Sequence, residues 1–131
     1  MTPIRELLAP IRELETAATE GPWRWTDLGS QTRQELRNAE RPLLRCSALM
    51  HPEPADAAFI AAARTDVPRL VAAIEAVAGM HYESVAYADD VAEGGDDPVP
   101  DDYERHYCNE DGETWPCATV RAVVAALESE A

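Results

Sequence analysis

Apolar residues fall at helical spacing in three stretches of the chain and alternate with polar ones in a few short runs between them. At the N-terminus the pentapeptide Pro-Ile-Arg-Glu-Leu occurs twice, from Pro3 and from Pro10, and sets Ile4, Leu7, Leu8, Ile11 and Leu14 along one face. This predicts an amphipathic helix. Pro10 has no N–H and crowds the preceding turn, so the helix either kinks there or begins there, with Pro10 in its first turn. Gly21-Pro22 ends the segment, and Trp23-Arg24-Trp25-Thr26 alternates as a half-buried strand does. A second strand is expected over Pro42 to Leu49, with Pro42 confining it to a strand start or an edge. The interval from Asp27 to Glu40 is open to a further short strand or a loop.

The strongest helical signal is the alanine-rich stretch Asp56 to Arg64, in which Phe59 and Ile60 are the expected core anchors. Thr65 or Asp66 then offers a cap for a new helix with Pro68 in its first turn and Val67, Leu70, Val71, Ile74 and Val77 as its stripe, running to about His81 or beyond. The pair has a helix-turn-helix outline, but Arg69 alone supplies positive charge, which disfavours DNA reading. From Asp89 to Pro100 the chain is acidic, holds Gly94-Gly95, Pro98 and Pro100, and offers almost nothing to bury, so a solvated loop is expected. Structure resumes at Tyr103 to Tyr107, turns at Asn109 to Gly112, and enters a last helix near Pro116, with Val120, Val123, Val124 and Leu127 inward. The expected fold is α+β: a small antiparallel hairpin or meander against three or four helices. With 131 residues the expectation is a single domain over 1–131, with an acidic loop at about 89–102 and a cysteine-containing turn and final helix at about 103–131.

Composition narrows the function. The formal net charge is −14, and eleven acids from Asp89 to Glu113 are opposed only by Arg105. Affinity for nucleic acid rests on Lys and Arg displacing counterions, so neither direct nucleic-acid binding nor attachment to an anionic membrane is expected. The N-terminus lacks a signal-peptide apolar run, and no stretch reaches the length of a membrane span, which places the protein in the cytoplasm as an expectation. Within the acidic run, Asp89, Asp90, Asp96, Asp97, Asp101 and Asp102 form a candidate interaction segment able to imitate the phosphate charge of DNA; the competing reading is a solvated loop.

Two further constellations are candidate sites. Trp23, Arg24 and Trp25 could line a ligand or partner groove by stacking, or one indole could belong to the core. Cys108 and Cys117 flank a turn and supply two thiolates of a zinc site, completed by Asp111 and by His106 or His81; a buried, metal-free turn and a Cys108–Cys117 disulfide are the alternatives. His51, His81 and His106 read as surface or packing residues rather than general bases, and no serine elbow, phosphate loop or paired-histidine helix motif is present. A non-enzymatic binding protein is therefore expected, with a small metal-supported enzyme as the alternative.

Two of these motifs resemble a family of short, uncharacterised accessory proteins carried by actinobacterial phages and prophages. Gly21-Pro22-Trp23-Arg24-Trp25 and the run Ala55 to Leu70 carry the resemblance over about the middle half of the chain. Cys108 to Arg121 is similar to the family's closing segment, Cys-x-x-Cys-Gly-x-x-Trp-Pro-Cys-x-Thr-Val-Arg, with Asp111 in place of the second cysteine. The resemblance implies a phage-type accessory protein that binds a host protein or a small signalling ligand, with counter-defence as one purpose. It supplies no reaction. A homodimer through the N-terminal stripe is a further possibility.

Overall fold

The computed structural model describes residues 1–30, 33–47, 49–91 and 100–129, with the side chains of 30 and 33 excepted. Of the acidic segment, Asp96 and Asp97 lie outside the described residues, as do Gly94, Gly95 and Pro98. The fold is α+β, built from α1 (Ile4–Ala17), β1 (Arg24–Ser30), β2 (Arg33–Arg37), β3 (Pro42–Cys46), α2 (Pro54–Met80), β4 (Glu83–Tyr87), β5 (Glu104–Cys108) and α3 (Ala118–Glu128). The chain divides into two compact units, one of Met1–Leu7 with Ala73–Ala131 and one of Leu8–Ala72.

In the Leu8–Ala72 unit, β1, β2 and β3 form an antiparallel meander. Trp25 pairs with Leu36, and Leu36 with Leu44, so a central apolar row crosses the sheet. The interval that periodicity left open is thus strand β2. Its Glu35 is 3% exposed and is neutralised from two sides, by Arg45 Nε at 2.8 Å and Arg37 Nη1 at 3.3 Å. Between β2 and β3 the buried Asn38 accepts the N–H groups of Glu40 and Arg41 at 2.9 and 2.8 Å on Oδ1, which turns the chain back. The strand expected up to Leu49 stops at Cys46, because the Ser47 hydroxyl accepts the amides of Leu49 and Met50 and bends the backbone away.

Two helical expectations are corrected. Neither proline begins a helix: α1 starts at Ile4 and runs through Pro10, and α2 is one helix of 27 residues through Thr65, Asp66 and Pro68, so the helix-turn-helix outline is absent. An interior proline costs about 3 kcal/mol relative to alanine, and the alanines on both sides of Pro68 keep the rest of the helix favourable enough to carry it. The buried face of α2 is also different from the one expected. Phe59 is 75% exposed, whereas Ala57 and Val71 are buried. A helix apolar on most of its circumference does not mark its inner face by periodicity, and here the inner line follows Ala57, Ala61, Arg64, Pro68 and Val71.

Arg64 on that line explains the neighbourhood of the N-terminal tryptophan. Its Nε donates to the Thr19 carbonyl at 2.9 Å and its Nη2 to that of Glu15 at 3.4 Å, groups at and just beyond the α1 C-terminus, where a cation is favoured. The guanidinium also lies 6.0 Å from the Trp23 ring centre. Gly21 leaves room beside it, since a Cβ there would stand 2.8 Å from Arg64 Cγ and force a shift.

In the other unit β4 pairs with β5 from Glu83–Cys108 to Tyr87–Glu104. Strand β4 falls where the sequence pattern allowed the preceding helix to continue; α2 ends at Met80. Asp89 and Asp90 follow in a single 3-10 turn capped by the Asp90 carboxylate on the Tyr87 N–H at 2.8 Å. In α3, Val120 and Val124 are buried. Among the described residues no helix is long and apolar enough to cross a membrane.

Candidate metal centre

Four side chains from four different places in the same unit converge. His81 follows the last residue of α2, Cys108 ends β5, Asp111 lies in the turn after it, and Cys117 is the N-cap residue of α3. Their donor atoms all lie within 4.8 Å of one another. From His81 Nδ1 the distances are 3.4 Å to Cys108 Sγ, 3.5 Å to Cys117 Sγ and 3.5 Å to Asp111 Oδ2.

Backbone hydrogen bonds fix this arrangement. Cys108 N–H donates to the Glu113 carbonyl at 2.8 Å and Gly112 N–H to that of Cys108 at 2.9 Å, closing a tight turn in which Gly112 takes a φ of 71°. Asn109 N–H donates to the Tyr82 carbonyl at 2.9 Å, which ties the turn to the residue after His81. At the start of α3 the Ala118 N–H goes to the Glu113 carboxylate at 3.0 Å, which ties the turn to the helix that Cys117 precedes.

The three contacts to one nitrogen exceed what hydrogen bonding can use. Imidazole Nδ1 carries either one proton or one lone pair, so it satisfies one partner well and not three. The three spacings are compatible with tetrahedral coordination of one metal ion. With metal–ligand lengths of about 2.3 Å to sulfur and about 2.0–2.2 Å to nitrogen and oxygen, the tetrahedral edges are about 3.5 Å for S···N and about 3.4 Å for N···O. The observed spacings match those edges, and two thiolates with an imidazole and a carboxylate suit zinc or cobalt rather than a hard cation such as magnesium.

Electrostatics and burial differ across the set. Cys108 and Cys117 are both 0% exposed, and burial pushes the Cys117 thiol above its ordinary pKa. The Asp111 side chain is 32% exposed. Its Oδ1 accepts the Glu113 N–H at 2.9 Å, the main cause of a pKa below the usual carboxylate range.

His106, one of the two histidines offered from sequence for the site, is elsewhere. Its Nδ1 is 2.6 Å from Glu83 Oε1 and its Nε2 2.6 Å from Glu104 Oε1, an exposed clasp across β4 and β5 that raises its pKa, with the Glu83 bond as the larger cause. The reason is position along the strand: the ligands cluster at the end of β5 and in the turn beyond it, whereas His106 lies two residues back, where Glu83 and Glu104 hold it. His81 is 27 positions before Cys108, and no local spacing links the two.

Each indole of the tryptophan pair is tied to backbone. Trp23 Nε1–H donates to Thr19 at 3.0 Å and Trp25 Nε1–H to Ala57 at 2.7 Å, each to a carbonyl, while Arg24 is exposed. Trp25 lines a cavity of about 340 Å³ with His51, Pro52 and Ala57; Trp23 does not. A larger cavity, about 560 Å³, adjoins the metal-ligand cluster, with His81, Tyr82, Trp115 and Val120 in its wall. Asp89, Asp90, Asp101 and Asp102 are all exposed. No protein-family model, curated protein or solved structure matches the chain.

Proposed function

We propose that this chain is a zinc-supported binding protein of the phage accessory type, acting in the host cytoplasm on a host protein or a small signalling ligand. The observation that carries the metal part is the convergence of two thiols and a carboxylate on His81 Nδ1 at tetrahedral edge lengths. Zinc there joins the end of α2, the end of β5, the turn and the start of α3, and so completes a unit whose remaining core is small. Burial of both sulfurs makes the role structural in the first instance. The accessory-protein part is supported by the sequence of the closing segment Cys108 to Arg121, which resembles the family's, with Asp111 at the position of its second cysteine.

The test is metal analysis of the full chain purified in the presence of zinc. About one equivalent is expected, and its removal by a chelator lowers the melting temperature. A metal-free preparation whose melting temperature does not respond to zinc counts against the reading. Zinc-loaded protein is then used to capture host proteins and small molecules, with the Cys117→Ser variant as the control. Capture that depends on Asp89, Asp90, Asp101 and Asp102 and falls with added salt would instead favour phosphate mimicry.

A further inference from the structure

The four donors of the cluster are not equivalent. Cys108 and Cys117 are fully buried, and His81 is 13% exposed in its side chain against 32% for Asp111. Asp111 is also the single hard donor among soft and intermediate ones, and the poorest match for a metal already held by two thiolates. Its two oxygens have separate tasks: Oδ1 is held by the Glu113 N–H at 2.9 Å, and Oδ2 faces His81. The carboxylate can therefore bind a metal through Oδ2 alone. Beside it the chain is open, since a Cβ on Gly112 would meet nothing within 4 Å.

The turn does not depend on Oδ2. Cys108 N–H to Glu113, Gly112 N–H to Cys108 and Asn109 N–H to Tyr82 are all backbone bonds, and Arg105 Nη2 donates to the Gly112 carbonyl at 2.9 Å. Cys108 is held by these bonds, and the Cys117 carbonyl accepts the Arg121 N–H at 3.0 Å, so the backbone of both cysteines is fixed independently of Oδ2. On the reading that this site holds zinc, we infer that Asp111 is its exchangeable ligand and that the position it vacates takes an external monothiol. The metal–Oδ2 bond breaks and a metal–sulfur bond forms. The thiol proton goes to solvent, the carboxylate stays ionised on the Glu113 N–H, and no electrons change hands. The metal ends with three thiolates and one imidazole, a common closed set for zinc. A soft sulfur donor is favoured over a carboxylate ligand or water because it matches the two thiolates already present.

The experiment loads the full chain with cobalt(II) and follows the thiolate charge-transfer absorption while 2-mercaptoethanol is added. In the wild-type chain the band should rise by about one half, from two thiolates to three. Asp111→Asn keeps an acceptor for the Glu113 N–H and removes the anionic ligand, so it should saturate at a lower thiol concentration. Asp111→Cys should start at the higher intensity and stay there. A band that is present but unmoved by thiol in both wild type and Asp111→Asn overturns the exchange and leaves the metal reading intact. Loss of the band on thiol addition also overturns it, because the metal is then extracted. Failure to form any thiolate band defeats the metal reading, and the exchange with it.

Discussion

The imidazole of His81 and the thiol of Cys117, 36 positions apart in the chain, stand 3.5 Å apart from Nδ1 to Sγ. Cys108 and Asp111 complete the same cluster, so removal of any one donor acts on the whole. His81→Ala is expected to abolish stoichiometric zinc binding, whereas His106→Ala leaves it intact. Isothermal titration of the two variants with zinc distinguishes them; retained binding in the first and loss in the second would make His106 the ligand in place of His81.

Zinc loading should release protons. Burial holds the Cys117 thiol above its ordinary pKa, so at neutral pH it enters as a thiol and leaves its proton to solvent when the metal binds. Affinity therefore rises with pH, by about tenfold per unit for each proton displaced. A weakly buffered stopped-flow measurement with a pH indicator reads this directly. No proton release would mean that the thiolate is already formed.

The clasp of His106 between Glu83 and Glu104 has the opposite pH sign. Both carboxylates raise its folded pKa above 6.5, so its contribution to stability is complete below the unfolded value and is lost as pH rises through the folded one. Nuclear magnetic resonance titration should show the raised value, and His106→Gln should remove this part of the pH dependence of the melting temperature in metal-loaded protein. A value at or below the ordinary one would show that the two contacts do not persist in solution.

In the Leu8–Ala72 unit, Gly21→Ala is expected to destabilise by about 1–3 kcal/mol, the usual range for overpacking, because the new Cβ meets Arg64 Cγ at 2.8 Å. Arg64→Ala costs about 1–3 kcal/mol through the lost charged hydrogen bonds to Thr19 and Glu15. The two losses should not add, since truncating Arg64 removes the clash. Urea denaturation of the single and double variants checks this, and strict additivity would contradict the contact.

Pro68→Ala should stabilise, by up to about 3 kcal/mol, by restoring the N–H that α2 lacks at its centre. Thermal unfolding is the measurement. A lower melting temperature would show that the proline ring contributes more by packing on the inner face than its missing hydrogen bond costs.

Much of the fold could be read along the chain, because helices and strands announce themselves by local period. The first helix, the strands near Trp25 and Leu43, the β5 region and α3 all carry such signals. Where the signal is weak or unselective, the reading departed from the structure. Alanine-rich α2 has apolar residues on most faces, so neither its continuity through Pro68 nor the exposure of Phe59 followed from spacing. Strand β4 is short and adjoins a helical pattern, and β2 carries the charges Glu35 and Arg37 whose pairing with Arg45 only the sheet creates.

The candidate site divides in the same way. Local sequence determined Cys108, Asp111 and Cys117 as a turn able to offer two thiolates and a carboxylate, since ten residues with a glycine and a proline constrain one another. The exposure of Asp89, Asp90, Asp101 and Asp102 was equally legible, because paired charges in a run rich in acids have little to be buried against. Only the tertiary structure decided which histidine joins the thiols. His106 is near in sequence but is held by Glu83 and Glu104, whereas His81 is distant in sequence and is brought in where α2 ends beside the turn. Ligand geometry is a property of points in space, and chain spacing reports it only as far as one turn extends.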